Sequence, residues 1–367
     1  MSKNIGFIGF GLIAGSIAKA IRNKHSDYKM YVYNRRHPDV AESLAMAKGD
    51  GTIDGLYGSL DLFSDCDIIF LCAPVLINIS YLKELKGIIK DTCILTDVGS
   101  VKGNIHKAVA RLSLERHFIG GHPMTGSDRT GYENSSHLLM ENAYYLLTPT
   151  RETSQHDINF LRTLVEEMGS IAYITDCSRH DEITAAISHL PHIIASSLVN
   201  VVRENDDEKQ LMKTFAAGGF KDITRIASSS PEMWQSICLS NPDYISRYID
   251  IFTDKLKSFQ ASILAGDSDT LYKTFEQSRD YRNSIASTSS GALSKSYEIY
   301  VDVPDVPGII AIIATILSSN SVNIKNIGIV HNREFEEGVL RIEFYNEKDS
   351  VDARNALSRY PYRVYDR

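Results

Sequence analysis

The chain has 367 residues, of which 43% are hydrophobic and 23% charged, and its formal net charge is −7. These values are typical of a globular protein with two or three domains, at about 150 residues each. The acidic balance argues against a nucleic-acid partner and against an anionic membrane surface. No apolar run in the sequence approaches the ~20 residues of a membrane span.

The five cysteines form no C-x-x-C pair and lie mostly inside apolar segments. Cysteines in that setting are more often buried thiols than zinc ligands or partners in disulfides. Free thiols persist in a reducing compartment, so we predict a cytoplasmic protein without a metal site.

A strand, a glycine turn and a helix are predicted at the start of the chain, in the G-x-G-x-x-G/A pattern of dinucleotide-binding loops. Gly9 suits a tight turn, Gly11 lets a pyrophosphate approach the main chain, and Ala14 lets the helix pack against the strand. The free N–H groups at the helix start, at Leu12 and Ile13, would face the phosphates. The alternative is a glycine-rich turn in an ordinary α/β domain.

Strands and helices alternate up to about residue 175. The further strands are predicted at 30–33, 68–72, 94–96, 118–119, 144–147 and 171–174. Alternation with nearly continuous apolar strands is typical of a doubly wound parallel sheet in an α/β, Rossmann-type domain. Ligands of such sheets bind beyond the carboxyl ends of the strands, so the residues that follow each strand are the candidates for a site.

The residues after the second strand bear on the choice of dinucleotide. An acidic residue there would bond the ribose hydroxyls and favour NAD, but this chain has Asn34-Arg35-Arg36. Two guanidinium groups suit a 2′-phosphate, so the sequence favours NADP. Alternatively, the two arginines belong to a solvated helix start. Ala73 and Pro74, after the third strand, are further candidates for contact with the cofactor.

Two polar residues at strand ends are candidates for catalysis. His122 follows Gly120-Gly121, and its ordinary pKa near 6.5 suits a general base at neutral pH. Ser100 follows the fourth strand, and it either caps the next helix or lies at the mouth of the site. A structural role for His122 is the alternative to the catalytic one.

From residue 176 to 286 the sequence predicts helices only, with a pair of glycines at 218–219 that we interpret as a helix stop. His189 either lines a substrate pocket or forms a metal pair with His192, three residues on, together with Asp181. The metal is disfavoured because no carboxylate falls at a clear ligand spacing on that face of the helix. Arg225 either clamps a substrate carboxylate or pairs with Asp222. An apolar stripe after residue 241 indicates core packing, with a subunit interface as a second use.

A serine-rich linker at 287–296 precedes a segment, 297–367, with the order strand, helix, strand, strand, helix, strand. That order is the ferredoxin-like split arrangement. The sequence therefore predicts an α/β domain at 1–175, an all-α domain at 176–286 and a small α+β domain at the end.

Together these motifs resemble the prephenate dehydrogenase family of tyrosine biosynthesis over nearly the whole chain. The matching stretches are 9–16, 97–102, 121–127, 180–182, 188–192, 218–227 and 233–234. Family members usually have glycine where Ala14 stands, and most bacterial members use NAD with an acidic residue where Asn34 stands. The last 71 residues resemble an ACT domain, counted from 297 to 367.

The resemblance implies oxidative decarboxylation of prephenate to 4-hydroxyphenylpyruvate, with hydride transfer to NAD or NADP. His122 would act as general base on the ring hydroxyl, and Ser100 would steady it. Arg225 would bind a substrate carboxylate, His189 would line the substrate pocket, and Lys221 lies in the same motif as Arg225.

The resemblance also implies a homodimer through the helical domain and feedback control by tyrosine at the ACT-like segment, near Asp305, Gly308 and Asn323. Two alternatives stay open at this point. Arogenate, in which an amino group replaces the side-chain keto group, is a second substrate. A protein without catalysis that senses a dinucleotide and an amino acid is a function of another class.

Overall fold

The structure is a computed structural model that describes residues 2–34, 38–126, 129–288, 297–304, 306–330 and 337–365. Backbone contacts divide the chain into two compact units, residues 1–260 and 261–367. Each unit contains one β-sheet, with eight strands in the first and four in the second over the described residues.

The sheet of the first unit places the ends of several strands at one edge. Its strands are β1 (Asn4–Ile8), β2 (Lys29–Tyr33), β3 (Gly55–Leu56), β4 (Ile68–Leu71), β5 (Ile94–Asp97), β6 (Phe118–Pro123), β7 (Tyr144–Pro149) and β8 (Ile171–Ile174). They lie in the order β3-β2-β1-β4-β5-β6-β7-β8. β1 pairs in parallel with both β2 and β4, so the strand order switches direction there, and a crevice for ligands opens beyond their carboxyl ends.

The prediction of a wholly parallel sheet is wrong at one pairing. β6 and β7 are antiparallel, with His122 opposite Leu146, and β8 is parallel to β7. A parallel neighbour needs a long crossover, usually a helix. The described part of the connection from β6 to β7 contains only short 3-10 turns at Tyr132–Asn134 and His137–Leu139, so the chain returns in the opposite direction.

Helices cover both faces of this sheet. They are α1 (Leu12–Lys24), α2 (Pro38–Gly49), α3 (Val75–Leu85), α4 (Gly103–Arg111) and α5 (Gln155–Glu167). The side chains of β4 alternate between two apolar cores, with Ile68 and Phe70 in one and Ile69 and Leu71 in the other. Because such a strand is buried on both faces, it appears in the sequence as a continuous apolar run, and the prediction of β4 is confirmed.

Helices form the rest of the first unit. They are α6 (Cys177–Thr184), α7 (Leu190–Asn205), α8 (Leu211–Phe215), α9 (Gly218–Thr224), α10 (Pro231–Ser240) and α11 (Pro242–Ala265), the last of which continues into the second unit. A π-helical turn, Ala185–His189, joins α6 to α7 directly before Pro191. The wider turn accommodates a residue that lacks an N–H and crowds the preceding carbonyl. The resulting run, 177–205, is long and apolar enough to cross a membrane by length and composition, a test that interior helices also pass.

Two expectations for the helical segment need correction. Gly218 and Gly219 begin α9 rather than end a helix, because α8 has already ended at Phe215. The stripe on α11 is not core in the isolated chain: Ile245 is buried, whereas Leu256 is 52% exposed. α10 and α11 each begin at a proline, Pro231 and Pro242, whose fixed φ and missing N–H suit the first position of a helix.

The second unit contains a four-stranded antiparallel sheet. Its elements are α12 (Ser268–Thr288), β9 (Tyr297–Pro304), α13 (Ile309–Ser319), β10 (Ile324–Val330), β11 (Glu337–Phe344), α14 (Glu347–Leu357) and β12 (Arg363–Tyr365). The strands lie in the order β10-β11-β9-β12. From β9 onward the described elements follow the predicted order, and α13 and α14 contribute Ile313 and Leu357 to a core with Val301. Most of the predicted linker lies outside the described residues.

Candidate active site

The glycine loop connects β1 to α1 at the crevice. Gly9 has a φ of +85°, and a side chain there would lie 2.9 Å from the Ala73 nitrogen. Both the left-handed backbone and this close approach require glycine. The turn therefore packs directly on the residues that follow β4, and it brings two predicted cofactor segments together.

The start of α1 is open to an anion. Gly11 precedes the helix, no side chain caps its first turn, and that turn contains no acidic residue. Nothing lies within 4 Å of the position that a side chain on Gly11 would occupy. The N–H groups of Leu12 and Ile13 belong to the first turn, where no intrahelical partner exists. Ala14 is 1% exposed against the sheet. This geometry fits a pyrophosphate.

The segment after β4 is held in place by one side chain. Asn78, fully buried on α3, accepts a hydrogen bond from the Ala73 N–H and donates to the carbonyls of Leu71 and Ala73. Pro74 then precedes the first residue of α3. The amide therefore fixes the backbone at 73–74 beside the glycine loop. At the end of β2, Asn34 is half-buried, while Arg35 and Arg36 lie outside the described residues.

A fully buried ion pair joins the ends of β5 and β6. Lys102 pairs with Asp97, and both side chains are 0% exposed. Asp97 accepts the Gly121 N–H at 3.1 Å, while the Lys102 ammonium donates to the Gly121 carbonyl at 2.7 Å. Burial lowers the pKa of Lys102, and the Asp97 carboxylate opposes that shift. The sequence did not lead us to predict these contacts to Gly121, the residue before His122. Two oppositely charged residues, Asp97 and Lys102, next to the end of a buried strand were the signal that could have indicated them. Ser100 lies half-buried in the same turn.

His122 is half-buried near the carboxyl end of β6. Its Nδ1 lies 2.8 Å from Nε2 of His180, the second ring in a buried chain of polar groups. Burial, and to a lesser degree His180 and Lys102, holds the pKa of His122 well below its ordinary value of 6.5. The ring is therefore neutral at neutral pH and has one nitrogen with a free lone pair.

His180 and Asp181 are buried polar residues of α6. His180 Nδ1 lies 2.8 Å from Asp181 Oδ1. The same carboxylate accepts the N–H groups of Lys102 and Gly103, at 2.8 and 2.7 Å, where α4 starts. His180 is 0% and Asp181 4% exposed. The sequence singled out this pair only as part of a motif, because its partners lie far away along the chain.

The structure places His189 in the interior, which the pocket-lining prediction did not expect. It is 1% exposed, and its Nδ1 lies 3.4 Å from the side-chain nitrogen of Asn241. Burial lowers the pKa of His189 to about 4. The π-helical turn ends at His189, and His192, in the first turn of α7, is half-buried.

His192 stacks on Trp234, with ring centroids 3.7 Å apart. Burial lowers the pKa of His192, and the positive charge of Arg225 lowers it further. Arg225 is exposed at the end of α9, and Lys221 is exposed one turn earlier. Arg225 and Lys221 give this part of the helical segment a cationic surface.

These residues combine three capacities in the first unit. The start of α1 can take a diphosphate, the neutral ring of His122 can accept a proton, and the surface around Arg225 can take a carboxylate. The set suits the oxidation of a small hydroxy acid by a dinucleotide.

Comparisons with known proteins agree with this chemistry. A family model described as "Prephenate dehydrogenase, nucleotide-binding domain" matches residues 17–174, and one described as "Prephenate dehydrogenase, dimerization domain" matches residues 176–277. The prephenate dehydrogenase of Bacillus subtilis is 34% identical over an alignment that covers 100% of this chain and 98% of the relative.

Two solved structures share the fold. Prephenate dehydrogenase from A. aeolicus, in complex with hydroxyphenyl propionate and NAD+, is 30% identical, with a TM-score of 0.73 over 78% of this chain and 99% of the other. Synechocystis arogenate dehydrogenase is 27% identical, with a TM-score of 0.69 over 77% and 99% of the two chains. On the strength of both domain matches and the full-length relative, this chain belongs to the prephenate dehydrogenase family.

Proposed function

We propose that this chain is a dehydrogenase that converts prephenate to 4-hydroxyphenylpyruvate and carbon dioxide, with a hydride passed to NAD or NADP. The observation that carries the proposal is His122, a neutral imidazole at the carboxyl end of β6, in the same sheet as the dinucleotide loop. The prephenate dehydrogenase of Bacillus subtilis is similar to this chain over its full length.

His122 would act on the ring hydroxyl of prephenate. The unprotonated nitrogen of His122 accepts a hydrogen bond from this hydroxyl. It draws the hydroxyl proton toward the imidazole while the hydride leaves the ring carbon that carries the hydroxyl. The bond to the ring carboxylate then breaks, carbon dioxide leaves, and its electron pair makes the ring aromatic. The proton returns to the phenol oxygen, so His122 ends the cycle neutral. The dinucleotide, when bound, supplies the hydride acceptor. Ser100 would share the hydrogen bond to the hydroxyl.

The residues that would hold the cofactor follow β1, β2 and β4. They are Gly9, Gly11, Leu12, Ile13, Ala14, Asn34, Ala73 and Pro74. Asn34 stands where an acidic residue would favour NAD, and Arg35 and Arg36 would supply the cations for a 2′-phosphate. The preference for NADP rests on this composition alone.

The substrate carboxylates would meet the cationic surface. Arg225 offers a planar fork that suits a carboxylate, and Lys221 adds charge one turn away. His192, stacked on Trp234, offers a ring face and an edge at the same surface. We assign the pocket-lining role to His192 rather than to His189, because His189 is 1% exposed and turned toward Asn241.

The proposed domains are a dinucleotide-binding domain at 1–175, a helical substrate and dimerisation domain at 176–286, a linker at 287–296 and an ACT-like domain at 297–367. The match of residues 176–277 to a dimerization domain supports pairing of two copies. The free cysteines support the cytoplasm as the compartment, because thiols persist where the environment is reducing. Such pairing would cover apolar side chains that the single chain leaves exposed, such as Ile187 at 61% and Leu256 at 52%.

The sheet order β10-β11-β9-β12 with two helices supports the ACT-like assignment. We propose that tyrosine binds at the turn before α13. Gly308 there has a φ of +89° and precedes α13 without a side-chain cap, and Asn323 is exposed nearby in sequence, after the helix. Asp305 lies outside the described residues.

A turnover assay that crosses prephenate and arogenate with NAD and NADP, with and without tyrosine, tests this function. We expect prephenate to be oxidised with release of carbon dioxide, and tyrosine to lower the rate. A rate on arogenate far above that on prephenate would transfer the assignment to arogenate dehydrogenase, a name that one structural neighbour bears. Binding of a dinucleotide and tyrosine without any turnover would favour the sensor.

A further inference from the structure

One carboxylate sets the direction of a chain of hydrogen bonds. Asp181 accepts the Lys102 and Gly103 N–H groups at the start of α4, and both bonds are shorter than 2.9 Å, at 2.8 and 2.7 Å. Main-chain donors at a helix start favour the ionised carboxylate. An ionised carboxylate is an acceptor only, so the third group in contact with it, Nδ1 of His180, must carry a hydrogen.

That hydrogen decides what His122 does. With Nδ1 protonated, a neutral His180 has its lone pair on Nε2, which faces Nδ1 of His122 at 2.8 Å. His122 must then donate from Nδ1, and its own lone pair lies on Nε2, for which the described residues show no hydrogen bond. The opposite tautomer of His122 would place two lone pairs against each other inside the protein.

Other charged groups around His180 do not reverse this order. Asp181, Lys102 and Asp97 act on the pKa of its ring, His122 contacts its Nε2, and its own charge acts on the pKa of His189. Burial lowers the pKa of His180 despite the raising effect of Asp181, so the ring stays singly protonated at neutral pH.

We propose that Asp181 and His180 are positioning residues, which hold His122 in the tautomer whose Nε2 accepts the proton of the substrate hydroxyl. The role as proton acceptor rests on the proposed function, whereas the tautomer itself is a property of the protein alone. His180 and Asp181 belong to α6, while His122 belongs to β6, so packing of the helical segment on the sheet becomes a condition for catalysis.

Asp181→Asn provides the sharpest test. The amide donates from nitrogen, so it can turn His180 around, and His180 then donates from Nε2 to Nδ1 of His122. We expect kcat to fall by ~10²–10³-fold with little change in KM, since a wrong tautomer removes the base without removing binding contacts. A loss in kcat of less than about threefold, in a variant whose His122 signals show the reversed tautomer in the NMR measurement below, would overturn the proposal.

His180→Gln and His180→Leu form a matched pair in case the Asp181 variant folds poorly. Glutamine places an amide oxygen near the former Nε2 and can accept from His122, so we expect a loss within ~10-fold, against ~10²-fold for leucine. Equal losses in the two variants would assign His180 a packing role only. His117→Gln is the control: His117 is also buried, 8% exposed, but bonds the Cys93 carbonyl at the opposite end of β6.

Nitrogen-15 NMR of histidine-labelled protein without substrate separates this proposal from the proposed function. His122→Asn identifies the signals of His122 by their loss. We expect Nε2 of His122 to show the shift of an unprotonated nitrogen and Nδ1 that of a protonated one, and Asp181→Asn to exchange the two. The opposite pattern in the unmodified protein would refute the tautomer, even if prephenate is turned over.

Discussion

The imidazole of His122 meets two requirements of a proton acceptor together. Burial and neighbouring positive groups hold its pKa well below 6.5, so it is uncharged at neutral pH. Its Nδ1 is fixed at 2.8 Å from His180. A weak base is a poor proton acceptor in water, but here it only has to take the hydroxyl proton as hydride transfer makes that proton acidic.

The lowered pKa of His122 predicts where activity is lost in acid. The base works only when neutral, so kcat/KM should stay level as pH falls from 8 to about 6.5, the ordinary value, and decline only below it. A rate profile against pH, with protein stability checked at each point, measures this. An acidic limb centred near or above pH 6.5 would contradict the described burial.

Arg225 is expected to act in binding rather than in the chemical step. Arg225→Gln removes a charge-assisted contact to a carboxylate, which is worth about 1.5–3 kcal/mol, so KM for prephenate should rise by ~10–10²-fold. The KM for the dinucleotide should stay the same. Lys213→Gln, which removes an exposed cation on α8, is the control. A fall in kcat with an unchanged KM would move Arg225 out of the carboxylate site.

Which residues take part was easier to predict than how they contact each other. A histidine after a strand and two glycines indicates a position at the sheet edge, and His122 lies there. Its contact with His180, 58 residues away along the chain, depends on how α6 packs on the sheet, which no local pattern encodes. His189 and His192 lie three residues apart in one motif, and no local pattern indicates that His189 is the one that packs against Asn241.

At the scale of elements, two glycines of one loop serve different purposes. Gly9 has a φ of +85° and no room for a side chain beside Ala73, whereas Gly11 has a φ of −119° and open space around it. The fold requires glycine at the first position, and we propose that the ligand requires it at the second. An identical substitution at the two positions should therefore produce different losses.

Gly9→Ala should destabilise the protein, because left-handed backbone and the clash with Ala73 cost about 1–3 kcal/mol or more. Gly11→Ala should leave the unfolding temperature unchanged and weaken dinucleotide binding by ~10-fold or more, since a methyl group would stand where the pyrophosphate approaches. Thermal unfolding and titration with NAD and NADP measure the two effects. Equal binding by Gly11→Ala and the unmodified protein would remove the loop from the cofactor site.

Strong periodic patterns predicted the strands and helices well. They did not predict the direction in which strands pair or where a helix ends. The buried strands of the first sheet and the order of elements after residue 297 match the structure in its described parts. The antiparallel pairing of β6 and β7 was missed because pairing direction depends on the connection rather than on the strand. The glycine pair at 218–219 could stand at either end of a helix. Because α8 ends earlier, at Phe215, the pair begins α9 instead.

At the scale of the whole molecule, buried histidines couple stability to pH. Burial lowers the pKa of His106 and of His189 to about 4, from 6.5. In the unfolded chain these rings take up protons from about pH 6.5 downward, and in the folded chain not until about pH 4. Their contribution to the free energy of unfolding is therefore fully present above pH 6.5 and is lost as the pH falls from 6.5 to about 4.

Each such histidine should make the free energy of unfolding fall by ~1.4 kcal/mol for every pH unit between these values. Denaturant unfolding at pH 7.5, 6 and 5 measures the slope. His106→Gln retains a partner for Thr148, which now lies 2.9 Å from His106 Nε2, but removes the titrating group. In His106→Gln, the fall in the free energy of unfolding per pH unit should be smaller by the contribution of about one proton. An unchanged slope would show that His106 does not titrate as described.

The proposed role of His122 is tested by comparing prephenate turnover by the unmodified protein and by His122→Asn, with product and carbon dioxide measured together with the reduced dinucleotide. We expect the three products in equal amounts, and a kcat for His122→Asn lower by ~10²–10⁴-fold with dinucleotide binding intact. His117→Gln should retain the full rate. Turnover of prephenate by His122→Asn at the unmodified rate, or reduction of the dinucleotide without release of carbon dioxide, would contradict the account.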